Sequence, residues 1–416
     1  MYMKTNSYDV VVACGGLGSR LREITKETPK PLYLVNGKST LERCVEQLDN
    51  YNFDNLILTI GYQSTKFEKF IENLNKKYRI NIEIFIEEKP LGECGALWFI
   101  KKKLCDDFVF INGDLIFSID FRKLIYFHKK LSSKLTLVTH TSDHPEDSDL
   151  VSVPYGSLVT NIFLKNKQGN NERNAYLGNS GIFVIRKDLL DKLSPPSNNE
   201  SKSIFHFIVQ KIFELKINIY SYNTSEYIKD MGTPRRLKKV EEDLSSNLVS
   251  KKNYKNPQKT LFLDRDNTLI KCHSGQYITK INEIDFILNN IENIVPISLN
   301  YDLVCLITNQ PSIAMGKLSL EDLDEINSRV VKYCLSKGLK IDVVTFCPHH
   351  PHKGFDGEIP ILKKDCFCRK PSPGLFFEQA FLRNINLKES LMIGDSDVDL
   401  LAAKNAGCDF FSVNDL

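Results

Sequence analysis

The chain has 416 residues, 42% of them apolar and 26% charged, with 55 basic and 52 acidic side chains giving a net charge of +3. Its length exceeds one ordinary core and predicts two domains. The near balance of charge gives no long-range pull on nucleic acid, so no nucleic-acid partner is expected, although a local basic pocket could still hold phosphate.

No run of about 18 apolar residues occurs, so no membrane-crossing helix and no membrane partner are expected. Residues 1–10, MYMKTNSYDV, lack a basic start, an apolar region and a small-residue cleavage site, which argues against secretion. Eleven cysteines spread thinly along the chain fit reduced thiols and a cytoplasmic location.

In chain order, short apolar runs at 8–14 (YDVVVAC), 55–61, 80–87, 107–113 and 135–140 predict strands. Amphipathic stretches at 40–51 and 64–78 predict helices between them, which implies a mainly parallel sheet with helices on both faces. The pattern closes in a charged helix over 233–244. Residues 245–259, SSNLVSKKNYKNPQK, are polar and lysine-rich without apolar periodicity and read as a flexible linker. A second alternation follows, with strands at 260–266, 302–310, 341–347, 390–396 and 408–413. The expected fold class is α/β, with two doubly wound, mainly parallel-sheet domains at 1–244 and 260–416.

The first chemical motif is VVACGGLGSRLREITKETPKPL at 11–32. A strand enters a loop with Gly15, Gly16 and Gly18, then Ser19 and Arg20. Glycines let backbone N–H groups approach a phosphate closely. A dinucleotide site would need GxGxxG and a P-loop would need GK[ST]; neither pattern is present. The segment resembles the signature of sugar-1-phosphate nucleotidylyltransferases, and the likeness covers roughly residues 8–240. It implies that Asp114 of INGD (with Gly113) and Asp230 of IKDMGTP hold Mg²⁺ between nucleotide and sugar phosphates. It also implies that Arg20 and Lys30 neutralise the phosphates, that Glu88 and Gly92 of EEKPLGECGAL lie in the base-and-sugar loop, and that Asn179 and Gly181 of LGNSGIFVI line the sugar. Where the family often has Glu-Lys, this chain has Lys165 and Asn166. Among such enzymes the pattern is most like the heptose-1-phosphate guanylyltransferases.

In the second half, TLFLDRDNTLI ends a strand on Asp264 and Asp266, two apart and so facing the same way. Ligands of parallel sheets bind at such carboxyl ends, and paired acids can hold Mg²⁺ or divide nucleophile and proton-shuttle roles. A lone DxD reads equally well as a capped turn. Three further blocks join it. Thr308 and Asn309 in LITNQ can donate hydrogen bonds to a phosphoryl group, Arg369 and Lys370 in CRKP are cations suited to phosphate, and LMIGDSDVDL ends a strand in Asp395 and Asp399.

The four blocks resemble those of haloacid dehalogenase-type phosphatases. The likeness implies Asp264 as nucleophile, Asp266 as general acid/base, Thr308 and Lys370 on the transferring phosphoryl group, and Mg²⁺ on Asp264, Asp266 and Asp395 with Asp399 in support. The chain departs from that family at Asn267, where Gly is usual, and at Pro311, Ser312 and Met315, the last replacing an Arg.

Between strand and RKP lies CPHHPHKGFDGEIPILKKDCFC. Cys347, His349, Cys366 and Cys368 give four N/S ligands in two short clusters, as structural Zn²⁺ requires. A disulfide fits a cytoplasmic protein poorly, and a catalytic zinc would need an open position. His350 and His352 are spares. With this loop the second half is most similar to D-glycero-D-manno-heptose 1,7-bisphosphate 7-phosphatases, with histidinol-phosphate phosphatases as the near alternative.

The two resemblances imply one bifunctional enzyme of GDP-heptose synthesis acting on sugar phosphates and GTP, since the phosphatase product is the transferase substrate. The alternatives are an active phosphatase with a degenerate, regulatory sugar-nucleotide-binding first half, or a transferase for another sugar such as mannose 1-phosphate. A homo-oligomer is compatible with either.

Overall fold

The computed structural model describes residues 8–15, 25, 28–51, 53–61, 63–165, 175–197, 203–272 and 276–416. Gly16, Gly18, Ser19, Arg20 and Asn166 lie outside them. The chain forms two compact units. The first takes in residues 1–139, 157–159 and 179–253; the second takes in 140–156, 160–178 and 254–416.

In the first unit, β1 (Asp9–Ala13) is a valine run buried on both faces, which suits a central strand of a parallel sheet. It pairs in parallel with β2 (Asn55–Ile60), which pairs with β3 (Asn81–Ile86), and on its other side with β4 (Asp107–Asn112). The helices α1 (Thr40–Asp49) and α2 (Ser64–Lys77) connect these strands. Ser39 caps α1 by accepting the Glu42 N–H at 3.1 Å, and α1 buries Leu41, Cys44, Val45 and Leu48.

A short strand, β5 (Leu115–Ser118), follows β4 directly. Beyond it run β6 (Leu135–Thr141), β7 (Leu177–Arg186), β8 (Ile219–Asn223) and β9 (Tyr227–Asp230). The segment of β7 from Ile182 to Arg186 lies antiparallel to β4, β8 lies parallel to β6, and β9 lies antiparallel to β5. The α3 (Phe121–Lys130) and α4 (Pro234–Ser245) helices complete this part.

The second unit has five parallel strands. They are β10 (Thr260–Leu263), β11 (Leu303–Asn309), β12 (Val343–Cys347), β13 (Leu391–Gly394) and β14 (Asp409–Ser412), in the order β12-β11-β10-β13-β14. The first chemical block thus sits on the central strand, flanked by β11, which carries Thr308 and Asn309, and β13, which leads to Asp395. Helices α5 (Leu320–Ser336), α6 (Gly374–Arg383) and α7 (Asp397–Ala406) cover it. One face packs Phe262, Cys305, Ile307 and Met392 against Leu375, Phe376, Ala402 and Ala403.

Residues 245–259 are not the flexible tether that their composition suggests. They contain a helical turn at Leu248–Lys251, and Asn253, Tyr254 and Gln258 are buried. Asn253 Nδ2 donates to Ser118 Oγ at 3.1 Å, and the Tyr254 carbonyl accepts from Asn384 Nδ2 at 3.0 Å. Composition registers the scarcity of apolar residues but not that the few amides have partners.

Within the second unit, the antiparallel strands Leu150–Ser152 and Asn161–Phe163 accompany α5. Ser152 Oγ donates to Asp324 Oδ2 at 2.5 Å, and Thr141 Oγ1 donates to the Asp342 carbonyl at 3.0 Å. Burial pushes the Asp324 carboxyl up to about 6; the Ser152 bond opposes this, and Glu325 and Glu321 add to it. An acid that holds its proton longer when folded loses stability as pH rises, here from about 4 in the unfolded chain through 6. Asp324→Asn should therefore gain stability relative to the wild type between pH 5 and pH 8, by on the order of 1–2 kcal/mol. Urea unfolding at the two pH values measures it, and a pH-independent difference would contradict the assignment.

Candidate functional site

Each unit gathers charged side chains where its parallel strands end. In the second unit the centre is Lys370, only 4% exposed. Its Nζ donates to Asp264 Oδ1 at 2.6 Å, to Asp399 Oδ1 at 2.6 Å and to the Ile307 carbonyl at 3.0 Å. Burial works against the ammonium charge, but Asp264 and Asp399 outweigh it and hold the group protonated above its ordinary range. The backbone at Lys370 is held from both sides by Asn309: its Nδ2 donates to the Lys370 carbonyl and its Oδ1 accepts the Lys370 N–H, each at 3.0 Å. This twin contact places the RKP segment against the tip of β11.

Asp264 follows the last residue of β10. Burial pushes its carboxyl up to about 7; Lys370 opposes this, while Asp399 and Asp266 add to it. Asp395 is likewise raised, by burial and then by Asp399, with the Asn267 side chain opposing. Oxygens of Asp264, Asp395 and Asp399 lie within 4.8 Å of one another. A crowd of buried acids is stabilised by a divalent cation, so the donor set fits Mg²⁺.

Asp399 is fixed by the start of α7. Ser396 caps that helix through the Asp399 N–H and donates its hydroxyl to Asp399 Oδ2 at 2.7 Å. The trio contains Asp399 where the sequence pattern pointed to Asp266. The Asp266 carboxylate instead meets Arg265, Nε to Oδ1 at 3.0 Å, and Gln310 Nε2 at 2.9 Å. Gln310 also donates to Thr308 Oγ1 at 2.9 Å, so Thr308 and Asp266 are tied together through one amide.

Two residues escaped the sequence reading. Arg265 is the largest fully buried side chain among the described residues, anchored to Asn327 Oδ1 at 3.0 Å, and Gln310 donates to Asp266. The signal for Arg265 was a cation lying between two acids on a strand tip. Asn267 has φ +59°, which explains why it can replace Gly: asparagine tolerates the left-handed region, and here its Oδ1 accepts the Cys272 N–H at 2.8 Å. Arg369 Nη1 donates to the His349 carbonyl at 3.3 Å.

Cys347, His349, Cys366 and Cys368 converge. His349 Nδ1 lies 3.1 Å from Cys368 Sγ, and the three sulfurs are 3.3–3.5 Å apart. That is far beyond a disulfide bond of about 2 Å and close to the edge of a ZnS tetrahedron, about 3.8 Å for Zn–S bonds of 2.3 Å. Three thiols and an imidazole nitrogen fit zinc. The cluster ends one residue before Arg369, so it anchors the segment that delivers Lys370.

In the first unit, Lys30 donates to Asp114 Oδ2. Register places Asp230 opposite Leu115, and the Met231 N–H bonds the Asp114 carbonyl at 3.3 Å, so the two acids are neighbours across β5 and β9. Burial works against the Asp230 charge, but Arg236, the Gly232 N–H and Lys30 together hold its carboxyl below the usual range. Arg236 Nη1 reaches both Asp230 oxygens at 3.1 Å. Two adjacent carboxylates beside a lysine can share a divalent cation whose remaining ligands come from phosphates.

Gly113 accepts no side chain, because a Cβ there would lie 2.4 Å from the Ala13 carbonyl. Gly181, at φ +83°, packs on Asn112, and its N–H bonds Asn179 Oδ1 at 3.2 Å. Gly92, at φ +72°, begins the helix Gly92–Ile100. Of the two glutamates before it, Glu88 is exposed, whereas Glu87 is buried against Gly15 and Gly61 and accepts the Leu91 N–H at 2.9 Å. Glu87 was missed because adjacent identical residues cannot be ranked without knowing the face each occupies.

The family model described as nucleotidyl transferase matches residues 9–247, and one described as HAD-hydrolase-like matches residues 367–415. D-glycero-alpha-D-manno-heptose 1-phosphate guanylyltransferase of Aneurinibacillus thermoaerophilus is 29% identical over 241 residues, 57% of this chain and 98% of that protein. The bifunctional protein GlmU of Methanococcus maripaludis is 29% identical over 248 residues, 58% of this chain and 56% of GlmU, so the chain spans about half the length of that relative. Among solved structures, HddC from Yersinia pseudotuberculosis is 27% identical, covers 57% of this chain and 99% of its own, and superposes with a TM-score of 0.47. Since the match at 9–247 spans more than half of its length, the chain belongs to the nucleotidyl transferase family, and it carries a HAD-like hydrolase domain at its C-terminal end.

Proposed function

We propose that the protein performs two consecutive reactions on a phosphorylated heptose: removal of the 7-phosphate from D-glycero-D-manno-heptose 1,7-bisphosphate, then guanylyl transfer from GTP to the resulting 1-phosphate. The observation that carries this reading is the pair of separate carboxylate–lysine clusters, Asp264–Lys370–Asp399 and Asp114–Lys30, each at strand tips of its own unit. The heptose and the guanine come from the likeness to the guanylyltransferase relative.

In the second unit Asp264 is the nucleophile. Its carboxylate attacks phosphorus while Asp266 gives a proton to the departing sugar oxygen, leaving an aspartyl phosphate. A water then attacks that phosphate, Asp266 takes back a proton, and inorganic phosphate is released. Lys370 and Thr308 hold the phosphoryl oxygens as charge shifts. In the first unit a sugar 1-phosphate oxygen attacks the α-phosphorus of GTP, the α–β bond breaks and pyrophosphate leaves, with Lys30 and Arg20 on the phosphates. Asp264, Asp395 and Asp399 in one unit, and Asp114 and Asp230 in the other, would hold Mg²⁺, which would supply positive charge between the reacting anions.

Incubation of the bisphosphate with GTP and Mg²⁺ should release one phosphate and one pyrophosphate per sugar. Asp264→Asn should lower phosphate release by about a thousandfold or more while heptose 1-phosphate still yields pyrophosphate. Asp114→Ala should do the reverse. Phosphate without pyrophosphate from the wild type would instead favour a non-catalytic first unit.

The thiol cluster should carry about one zinc per chain, measured by elemental analysis of the purified protein. Cys368→Ser should lose that zinc and lower the thermal midpoint of the second unit. Full zinc content in the variant would remove Cys368 from the ligand set.

A further inference from the structure

Three loops leave the tips of β10, β11 and β12, and each begins or ends on the phosphatase cluster: at Asp264, at Gln310 and at Lys370. The second and third are fastened together. Gly316, at φ +72°, lies so close to the Gly357 carbonyl that a Cβ would overlap it at 1.9 Å, and the Ile359 N–H bonds the Ala314 carbonyl at 3.0 Å. At this seam Met315 turns inward, 3% exposed, while its neighbour Lys317 stays exposed.

The Lys317 ammonium lies 5.7 Å from the ring centre of Tyr277, on the first loop, and 5.9 Å from that of Phe355, on the third. The other lysine over Phe355, Lys363, is fully buried and has its charge met by Glu358 at 3.6 Å. Among the described residues Lys317 has no carboxylate partner. Two aromatic faces at the outer limit of cation–π range hold a cation in place weakly, and they leave its three N–H donors for an anion.

We propose that Lys317 is a specificity-determining residue that binds the phosphate retained by the substrate while the other phosphate reacts at Asp264. The assignment rests on the bisphosphatase reading given above. A bisphosphate carries a second dianion that must leave water at the rim of the site, and the loop position Met315 offers no charge for it. Lys317, two residues on and steadied by rings from both neighbouring loops, does. A compact ammonium on a flexible stem suits a phosphate that needs charge and not a fixed angle.

The test compares the full-length wild type, Lys317→Met and Lys317→Arg on heptose 1,7-bisphosphate and on p-nitrophenyl phosphate. In Lys317→Met the ratio of kcat/KM for bisphosphate over monoester should fall between about 10- and 100-fold, with the loss mostly in KM, and Lys317→Arg should restore most of it. An equal fall on both substrates would mean that Lys317 only braces the loops and would overturn the assignment, as would an unchanged ratio. A wild type that shows no preference for the bisphosphate would overturn the bisphosphatase reading itself, and the Lys317 assignment with it.

Discussion

A buried lysine clamped between two carboxylates organises the second unit. A lone ammonium out of water would be strongly unfavourable, and so would two unpaired acids at the same depth. Lys370, Asp264 and Asp399 neutralise one another only if four chain segments far apart in sequence arrive together: the tip of β10, the tip of β11 with its carbonyl at Ile307, the end of the thiol-rich loop and the start of α7. The surrounding contacts serve that arrival. Asn309 holds the Lys370 backbone, Ser396 holds Asp399, and Arg265 and Gln310 keep the second acid of the DxD pair beside Thr308.

The first unit meets the same electrostatic constraint with other parts. Lys30 comes from a short turn ahead of α1, not from a strand tip, and it meets Asp114, the residue just before β5, beside Asp230 at the end of β9. Both units thus place a cation beside acids where sheet backbone runs out. In the first unit, however, Arg236 and Lys30 match the two acids nearly one to one, whereas in the second three acids crowd one lysine. The acids Asp264, Asp395 and Asp399 therefore leave more negative charge unmatched in the second unit than Asp114 and Asp230 do in the first.

Much of this was legible in the sequence, because the informative residues sit where periodicity breaks. Val10–Val12, Leu56–Leu58, Phe262 and Ile307 announce buried strands, and in the second half the polar residues beyond such runs, Asp264 after Phe262 and Thr308 after Ile307, fall at the strand ends. Cysteine and histidine spacing announced the thiol cluster for a similar reason, since few other arrangements use that chemistry.

Less legible were the choices made by three-dimensional neighbours. Whether Asp266 or Asp399 joins the acid trio depends on Arg265 and Gln310 occupying the former, and Glu87 differs from Glu88 only by the face it presents. Asn267 looked like a loss of glycine until its left-handed φ was seen to suit asparagine. The order in 245–259 escaped composition because it comes from single side-chain hydrogen bonds, at Asn253 and at the Tyr254 carbonyl, and from the burial of one tyrosine, none of which leaves a periodic pattern.

The composition of the two units also bears on how such a chain could be taken apart. Residues 140–156 and 160–178 belong with the C-terminal unit although they lie well before residue 245. The polypeptide therefore passes from one unit to the other more than once, and a single proteolytic nick near residue 250 would not release two intact proteins. Separate expression of the two units would call for grafting the Thr141 and Ser152 segments onto the C-terminal one, or for redesigning the faces of Asp342 and Asp324 that they meet.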